Sequence, residues 1–268
     1  MNTFKYAIAY NKNVSHSVVI KDEITGILKK AGADFKSFDI DHMESGYDFV
    51  FVVGGDGTIL KAARFYSKSS TPVFGVNLGR LGFLSQCTAD DINDSITKIL
   101  EGKYSVENRI MLEFGDYTAL NDFVIKSSLS GRTSKFSLKI NGKNVCDYLA
   151  DGIIISTPTG STAYGLSAGG PVIVPSLDVF VIVPICPHTL TARPLVVPDT
   201  EIITICANED SEGYFFSADG QEFLQVNSEI NVSKSNNKVK LALLNGSEFY
   251  TVLRDKLHWG ISPAKLLN

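Results

Sequence analysis

The sequence predicts an α/β plus all-β protein, with an N-terminal Rossmann-like α/β domain built on a parallel sheet and a C-terminal β-sandwich-like domain. Two observations predict this class. Over the first hundred residues, short apolar runs alternate with stretches of helical apolar spacing, which is typical of a parallel sheet with helices on its faces. Beyond Lys103, Asn-Gly or Asp-Gly dipeptides divide apolar runs three times, which indicates antiparallel hairpins.

The N-terminal elements follow from the spacing of apolar residues. Strands are expected where the apolar runs are shortest and densest, at residues 4–10, 35–40, 48–53 and 73–76. Helices are expected where apolar residues recur on one helical face, at residues 20–31, 58–67 and 92–100. Gly32 and Gly102 are placed to end the first and the last of these helices.

The C-terminal half is predicted to consist of hairpins. The turns are expected at Asn141-Gly142, Asp219-Gly220 and Asn245-Gly246, because these dipeptides supply the positive φ angles of a type I′ turn. We therefore place an α/β domain at 1–103 and a β-rich domain at 104–251. The C-terminal segment 252–268 is expected to return to the first domain.

Composition and charge exclude several classes of function. The 268 residues carry 25 Lys and Arg against 29 Asp and Glu, a formal net charge of −4. A dedicated nucleic-acid-binding protein usually has a basic excess, so no nucleic-acid partner is expected. With 44% hydrophobic residues, the chain can bury a sizeable core.

The sequence also predicts a cytoplasmic protein without a membrane partner. The densest apolar run, at 179–187, is about half the length of a membrane span, and the N-terminus lacks the pattern of a secretory signal. The cysteines are scattered without a C-x-x-C pair, so they are expected to be reduced thiols rather than zinc ligands.

The most informative segment is Gly-Gly-Asp-Gly-Thr at 54–58, directly after an apolar strand. Glycines allow a ligand to approach the backbone, and a helix N-terminus offers unpaired N–H groups to a phosphate. The segment matches neither a P-loop nor Gly-x-Gly-x-x-Gly, since no Gly-Lys-Ser/Thr comes after it and position 60 is Leu. Two interpretations stay open: a phosphate-binding loop, or a tight turn in which Asp56 or Thr58 caps the helix.

Asp56 in the middle of this loop favours phosphoryl transfer to an alcohol. A carboxylate beside bound phosphates repels them unless it coordinates a metal or accepts a proton from an attacking hydroxyl. Lys61, five residues further on, is either a side chain that neutralises phosphate charge or a solvated helix lysine.

A second polar cluster comes directly after the apolar run 153–155. Residues 156–171 are rich in Ser, Thr and Gly and contain one tyrosine, Tyr164. This ring could pack on an aromatic base or hydrogen-bond to a ribose. The alternative is an ordinary polar surface loop.

Five segments in series resemble those of the NAD kinase family. They are Gly54-Gly55-Asp56-Gly57-Thr58, the glycine-rich stretch 75–84, Asn121-Asp122, the stretch 157–171 and the stretch 184–194. The first alone is shared with lipid kinases, whereas the ordered series is specific.

This resemblance implies ATP-dependent phosphorylation of the adenosine ribose 2′-hydroxyl of NAD, which gives NADP, with Asp56 as the proton acceptor. It implies a divalent metal ion, Mg²⁺, that arrives with ATP, and it assigns no protein side chain as a metal ligand. NAD and ATP are the expected partners, together with further copies of the chain in a homodimer or homotetramer.

The resemblance also implies the positions that contact substrate and nucleotide. They are Gly55, Gly57, Lys61, Asn121, Asp122, Arg132, Asp151, Thr162, Ala163, Tyr164, Gly165, Leu166, Ser167 and Gln221. Two features depart from the family pattern. Leu149 and Ala150 stand where many members carry Gly and a basic residue, and Asp122 replaces the commoner Glu.

Two other functions compete with this hypothesis. A lipid kinase could use the same Gly-Gly-Asp-Gly-Thr loop, but it needs an apolar acceptor cleft, and the stretch 157–167 is polar. A non-catalytic NAD sensor could retain the binding loops, but it gains nothing from a carboxylate at position 56 that faces phosphate.

Overall fold

The computed structural model describes residues 4–79, 82–127, 133–189, 191–207, 213–244 and 249–257. These residues form two compact units. The first unit contains the chain up to Asn108 and again from Val239, and the second contains Arg109–Lys238. The domain limits at 103 and 251 stay a prediction; the first lies close to a unit boundary, whereas the second unit ends well before residue 251.

The helices and strands have defined bounds along the chain. The helices are α1 (Ser15–Lys30), α2 (Asp56–Ser67), α3 (Ile92–Leu100), α4 (Tyr164–Ser167) and α5 (Phe249–Leu257). The strands are β1 (Lys5–Tyr10), β2 (Asp34–Asp39), β3 (Phe49–Val53), β4 (Val73–Val76), β5 (Ser85–Cys87), β6 (Ser105–Arg109), β7 (Leu112–Phe114), β8 (Tyr117–Ala119), β9 (Asp122–Ser127), β10 (Ser134–Ile140), β11 (Lys143–Ala150), β12 (Gly152–Ser156), β13 (Val179–Ile185), β14 (Leu195–Pro198), β15 (Ile203–Ala207), β16 (Tyr214–Ala218), β17 (Glu222–Val226), β18 (Ile230–Lys234) and β19 (Val239–Leu243). Of the helices in these described ranges, none has the length and apolar character needed to cross a membrane.

The first unit is built on a parallel sheet. Its strand order is β2-β1-β3-β4-β19-β6, with β5 also paired to β4. All five residues of β3 are buried, as expected of a central parallel strand with both faces covered. In α1, the buried residues Ile20, Ile24 and Leu28 recur at intervals of four and pack into the core of this unit. Gly32 lies just beyond that helix with a positive φ of 66°, so the predicted helix end is confirmed.

The second unit consists of two antiparallel sheets that share one core. Their orders are β11-β10-β15-β18-β7-β8 and β14-β13-β12-β9-β16-β17. The shared core takes Leu138 and Ile205 from the first sheet and Ile153 and Ile182 from the second. The predicted fold class, an α/β domain followed by a β-sandwich-like domain, is therefore confirmed.

Two of the three predicted hairpins form. Antiparallel pairs join β10 to β11 and β16 to β17. The two central residues of each turn have positive φ angles, at Asn141 (50°), Gly142 (75°), Asp219 (51°) and Gly220 (63°), as type I′ turns require.

The third predicted hairpin is wrong. Strand β19 pairs in parallel with β4 in the sheet of the first unit, and residues 249–257 form α5 rather than a returning strand. An Asn-Gly dipeptide favours a turn but does not determine whether a strand or a helix comes after that turn. Phe249, Leu253 and Leu257 recur at intervals of four residues, which is helical spacing. The dipeptide Asn245-Gly246 itself lies outside the described residues.

Candidate active site

The glycine loop of the first unit lies between β3 and α2. The helix begins at Asp56, two residues before the predicted start, and Gly55 is its N-cap in an extended conformation. A Cβ at Gly54 would lie 2.6 Å from the Thr58 side chain, so this position requires glycine. Open α/β sheets bind ligands beyond the carboxyl ends of their strands, and this loop occupies such a place.

Asp56 is held by the second glycine-rich segment. Its carboxylate accepts hydrogen bonds from the backbone N–H groups of Phe83 (3.1 Å) and Leu84 (3.3 Å), one on each oxygen. A Cβ at Gly82 would overlap the same carboxylate. The two glycine-rich segments of the sequence therefore form one structural feature: the segment at 82–84 fixes the direction of the carboxylate that the loop at 54–57 presents.

Lys61 lies on α2 and forms an ion pair with Asp41. Both side chains are partly exposed, at 42% and 55% of their maximum. Such a pair contributes little to stability, and the ammonium can exchange Asp41 for another anion at small cost. This contact leaves open both functions that the sequence suggested for Lys61.

In the second unit, Asp219 anchors the Asn121-Asp122 pair. Its carboxylate accepts hydrogen bonds from three consecutive backbone N–H groups, those of Leu120 (3.0 Å), Asn121 (2.7 Å) and Asp122 (3.1 Å). The N–H of Asp219 donates in return to the carbonyl of Asp122 at 2.9 Å. Sequence reasoning interpreted Asp219 only as a turn residue, because its partners are almost a hundred positions away in the chain.

The Asp122 side chain is buried, with 5% of the residue exposed. Burial raises its pKa to about 7, and the neighbouring charge of Asp219 acts in the same direction. The second unit thus contains a carboxyl group that changes its protonation state near neutral pH.

The hydroxyl-rich loop 156–163 is anchored to the same pair. Thr157 donates from its Oγ1 to the carbonyl of Leu120 (2.5 Å) and from its N–H to the carbonyl of Asn121 (2.9 Å). A Cβ at Gly160 would overlap the main chain of Asn121. Ser161 exchanges hydrogen bonds with the backbone of Ile173. These hydroxyls are buried and hold the loop in place.

A cavity of about 370 Å³ opens beside this anchored pair. We call it the second-unit cavity; it is lined by Asn121, Asp122, Val124, Lys126, Ala163, Tyr164, Phe215, Phe216, Ser217, Asp219, Gly220 and Phe223. Its volume is within the range of small-molecule sites. Four positions that the sequence suggested line it together, namely Asn121, Asp122, Ala163 and Tyr164.

The other suggested positions lie elsewhere. Thr162 precedes the lining residue Ala163, while Gly165, Leu166 and Ser167 continue from Tyr164 in α4. Asp151 is exposed at the junction of β11 and β12, and the N–H of Gln221 closes the hairpin turn onto Ala218 at 2.9 Å. Gly55 is exposed directly before α2, and Gly57 is exposed within the first turn of that helix. Arg132 lies outside the described residues.

Sequence reasoning missed Lys126, Phe215 and Phe223. Lys126 could have been found, because Asp122, Val124 and Lys126 alternate along β9 and therefore share one face. The described residues contain no group of three or more His, Cys, Asp or Glu side chains that could hold a metal ion.

A glycine-rich βα loop with a fixed carboxylate, together with a cavity suited to a small aromatic ligand, defines a nucleotide-dependent phosphotransferase. Family models agree with this class. The ATP-NAD kinase N-terminal domain model matches residues 4–104, and the ATP-NAD kinase C-terminal domain model matches residues 120–244. The chain belongs to the NAD kinase family.

Individual relatives extend the match over most of the chain. An NAD kinase of Thermoanaerobacter sp. (strain X514) is 39% identical over 242 residues, which cover 86% of each chain. An NAD kinase of Pseudomonas putida (strain W619) is 40% identical over 255 residues, which cover 91% of this chain and 86% of the relative. The predicted family and the predicted phosphotransferase class are confirmed.

Solved structures agree with the fold. An NAD kinase from Archaeoglobus fulgidus in complex with ATP superposes with a TM-score of 0.80 at 29% identity, covering 95% of this chain and 99% of that chain. Yeast NADH kinase complexed with NADH has a TM-score of 0.83 at 23% identity, with coverages of 98% and 90%; at that identity the likeness concerns the fold alone.

Proposed function

We propose that the protein transfers the terminal phosphate of ATP to the adenosine ribose 2′-hydroxyl of NAD and forms NADP. The observation that carries this proposal is the position of Asp56, at the first turn of α2 and fixed by the N–H groups of Phe83 and Leu84. The identity of the substrates is proposed from family membership, and the proton transfer is proposed from the geometry of the glycine loop.

Asp56 acts as the proton acceptor in this proposal. The ribose 2′-hydroxyl gives its proton to the carboxylate while its oxygen attacks the terminal phosphorus, and the bond to the bridging oxygen breaks to release ADP. Each oxygen of Asp56 accepts one backbone N–H and keeps a further lone pair for the hydroxyl. Most of the catalytic effect is then positioning and charge neutralisation.

The binding contacts are proposed from both units. Lys61, Gly55 and Gly57 contact ATP phosphates. Tyr164 packs on the adenosine, and the Asn121-Asp122 pair hydrogen-bonds to it. The remaining proposed contacts are Arg132, Asp151, Thr162, Ala163, Gly165, Leu166, Ser167 and Gln221. The aromatic and polar lining of the second-unit cavity supports this assignment.

The divalent metal ion is proposed to enter as part of the ATP substrate. Since no cluster of three or more metal-binding side chains occurs in the described ranges, the ion would take its ligands mainly from phosphates and water, as Mg²⁺ commonly does. Bound there, it would neutralise charge on the transferred phosphate.

A homodimer or homotetramer in the cytoplasm completes the proposal. Phe215 and Phe223 are 53% and 73% exposed on the neighbouring strands β16 and β17, and exposed apolar patches often mark interfaces. Sedimentation of the wild type and of Phe223→Glu would test the assembly.

The activity is tested with a coupled assay that offers ATP with NAD and, separately, ATP with diacylglycerol. We expect turnover with NAD only. Asp56→Asn should keep NAD affinity within about twofold and lose roughly 10²- to 10⁴-fold in kcat, whereas Asp22→Asn, at an exposed position of α1, serves as a control on the same unit. An active Asp56→Asn enzyme with an unchanged pH profile would remove Asp56 from the mechanism, and wild-type turnover with neither acceptor would favour a sensor.

A further inference from the structure

Lys126 occupies a defined place in the second-unit cavity. Asp122, Val124 and Lys126 alternate along β9 and face the cavity, whereas Phe123 and Ile125 between them are fully buried in the core. Successive side chains of a strand point to opposite faces of the sheet. Because Phe123 and Ile125 point into the core, the side chain of Lys126 lies on the cavity side.

Neighbouring residues shape the position of this lysine. Gly152 on β12 and Phe215 on β16 are its cross-strand partners. A Cβ at Gly152 would lie 2.5 Å from the carbonyl oxygen of Ile125 and 3.0 Å from the Lys126 Cγ, so glycine leaves room for the backbone of β9 and for the lysine stem. Among the described residues, its ammonium contacts the ring of Tyr164, 5.2 Å from the ring centroid. Such a cation–π contact orients the charge without neutralising it.

The charges of the cavity explain why this lysine matters. Two carboxyl groups, Asp122 and Asp219, line the cavity, and Lys126 is the one cationic side chain among its described lining residues. A ligand with phosphate groups would be repelled by the two carboxylates alone. Three N–H groups already hold Asp219, and burial keeps Asp122 partly protonated at neutral pH. The charge of Lys126 is therefore left for the ligand.

We propose that Lys126 is the phosphate-binding side chain of this cavity and that it contacts a phosphate carried by the adenosine ribose of the dinucleotide. This inference rests on the proposed function, since it takes the cavity as the dinucleotide site. The same chemistry is offered by the 5′-pyrophosphate, which NAD and NADP share, and by the 2′-phosphate, which NADP alone carries. Tyr164 beneath the ammonium would place the adenosine ring system next to the charge.

The experiment measures the affinities of adenosine, NAD and NADP by calorimetry for the full chain. The variants are Lys126→Met, which removes the charge but keeps an unbranched stem, and Lys126→Arg, which keeps the charge. Lys135→Met is the matched control, because Lys135 lies on the same unit, pairs with Asp147 and is not among the residues that line the cavity. Thermal unfolding of each variant verifies the fold.

We expect Lys126→Met to weaken phosphate-bearing ligands about tenfold and to leave adenosine within about twofold. A loss for NAD and NADP alike identifies the 5′-pyrophosphate, and a loss for NADP only identifies the 2′-phosphate. Lys126→Arg should restore most of the affinity, and the difference between the wild type and Lys126→Met should shrink at about 0.5 M salt, where charges are screened.

Equal losses for adenosine, NAD and NADP would overturn the proposal, because they would mean that Lys126 only packs on Tyr164. Unchanged affinities in Lys126→Met would also overturn it. The proposed function is judged separately, by wild-type turnover of ATP and NAD. If the wild type phosphorylated NAD but Lys126→Met bound every ligand normally, only the proposal for Lys126 would fail. If the wild type did not turn over ATP and NAD, the proposed function itself would fail.

Discussion

The two compact units hold their functional carboxylates in different ways. In the first unit, Asp56 stands at a helix start, and two N–H groups from a segment almost thirty residues away point its oxygens in fixed directions. In the second unit, two carboxyl groups lie together: Asp219 accepts three consecutive N–H groups, and Asp122 is buried beside it. A single fixed carboxylate suits proton transfer, whereas two adjacent carboxyl groups, one of them buried, suit recognition.

The difference also concerns how glycine is used. In both units a glycine gives the room for the contact, since a Cβ at Gly82 would overlap Asp56 and a Cβ at Gly160 would overlap the main chain of Asn121. At Gly82 the crowded group is the reacting side chain. At Gly160 it is the backbone that carries the binding pair. The same substitution in the two places should therefore separate catalysis from binding.

The largest expected effect is that of Gly82→Ala. The added methyl group displaces the Asp56 carboxylate, and since a general base contributes about 10²- to 10⁴-fold, we expect kcat to fall roughly 10³-fold. NAD affinity should change by less than about twofold, because the second-unit cavity is untouched. Steady-state kinetics and NAD calorimetry measure the two quantities.

Gly79→Ala is the matched control for this variant, because a Cβ there meets nothing within 4 Å and activity should be retained. If Gly82→Ala turned over at the normal rate, the fixed direction of Asp56 would not matter for catalysis, and the contrast between the two units would fail.

The next effect in size is that of Gly160→Ala. The added methyl group would overlap the backbone of Asn121, which moves less easily than a side chain. We therefore expect the free energy of unfolding to fall by about 3 kcal/mol. Because Asn121 lines the second-unit cavity, NAD affinity should fall about tenfold. Urea denaturation and NAD titration test this expectation. Gly26→Ala, an exchange into open space within α1, should not destabilise the protein. A Gly160→Ala protein as stable as the wild type would mean that the loop moves away from Asn121 at no cost.

Asp122→Asn should change stability in a pH-dependent way. Because the pKa of Asp122 is raised to about 7, the folded protein holds a proton that the unfolded chain releases near pH 4. The stability of the wild type therefore falls as pH rises from about 4 to 7. Since the two pKa values differ by about three units at about 1.36 kcal/mol each, we expect Asp122→Asn to gain about 4 kcal/mol of stability relative to the wild type between pH 4 and pH 8.

Denaturant unfolding at several pH values measures this difference. Asp116→Asn, at an exposed position of the same unit, is the control and should give a flat difference. A flat profile for Asp122→Asn would mean that Asp122 is ionised at no cost, and the burial of this carboxyl group would not distinguish the second unit from the first.

Local sequence patterns were sufficient for much of the fold. The apolar strand β3, the glycine end of α1 and the turns at Asn141-Gly142 and Asp219-Gly220 depend on neighbouring residues only. The third Asn-Gly dipeptide misled because the partner of β19 is β4, more than 160 residues earlier in the chain. A turn signal carries no information about such a distant partner.

The candidate site was predictable to the extent that single motifs define it. Asp56 and Tyr164 stand out by their neighbours in the chain. The anchoring of Asp122 by Asp219 and of Asp56 by the segment at 82–84 joins residues far apart, and no local pattern reports such contacts. The role of Thr157 and Ser161 could not be predicted from the sequence either. A serine or threonine hydroxyl can hydrogen-bond equally well to the backbone or to a ligand, and the residue type does not show which partner it has.

The smallest expected effect concerns Lys61, and it tests whether the first unit contributes binding as well as chemistry. Lys61→Met should raise KM for ATP about fivefold if the ammonium leaves Asp41 for a phosphate, while Asp41→Asn should leave KM unchanged or lower it, because Lys61 is then free for ATP. Both variants should keep their unfolding free energy within about 0.5 kcal/mol, as expected of an exposed ion pair. Equal increases of KM in the two variants would mean that the ion pair itself shapes the site. An unchanged KM in both would leave Lys61 a solvated helix lysine and confine ATP binding to the glycine loop.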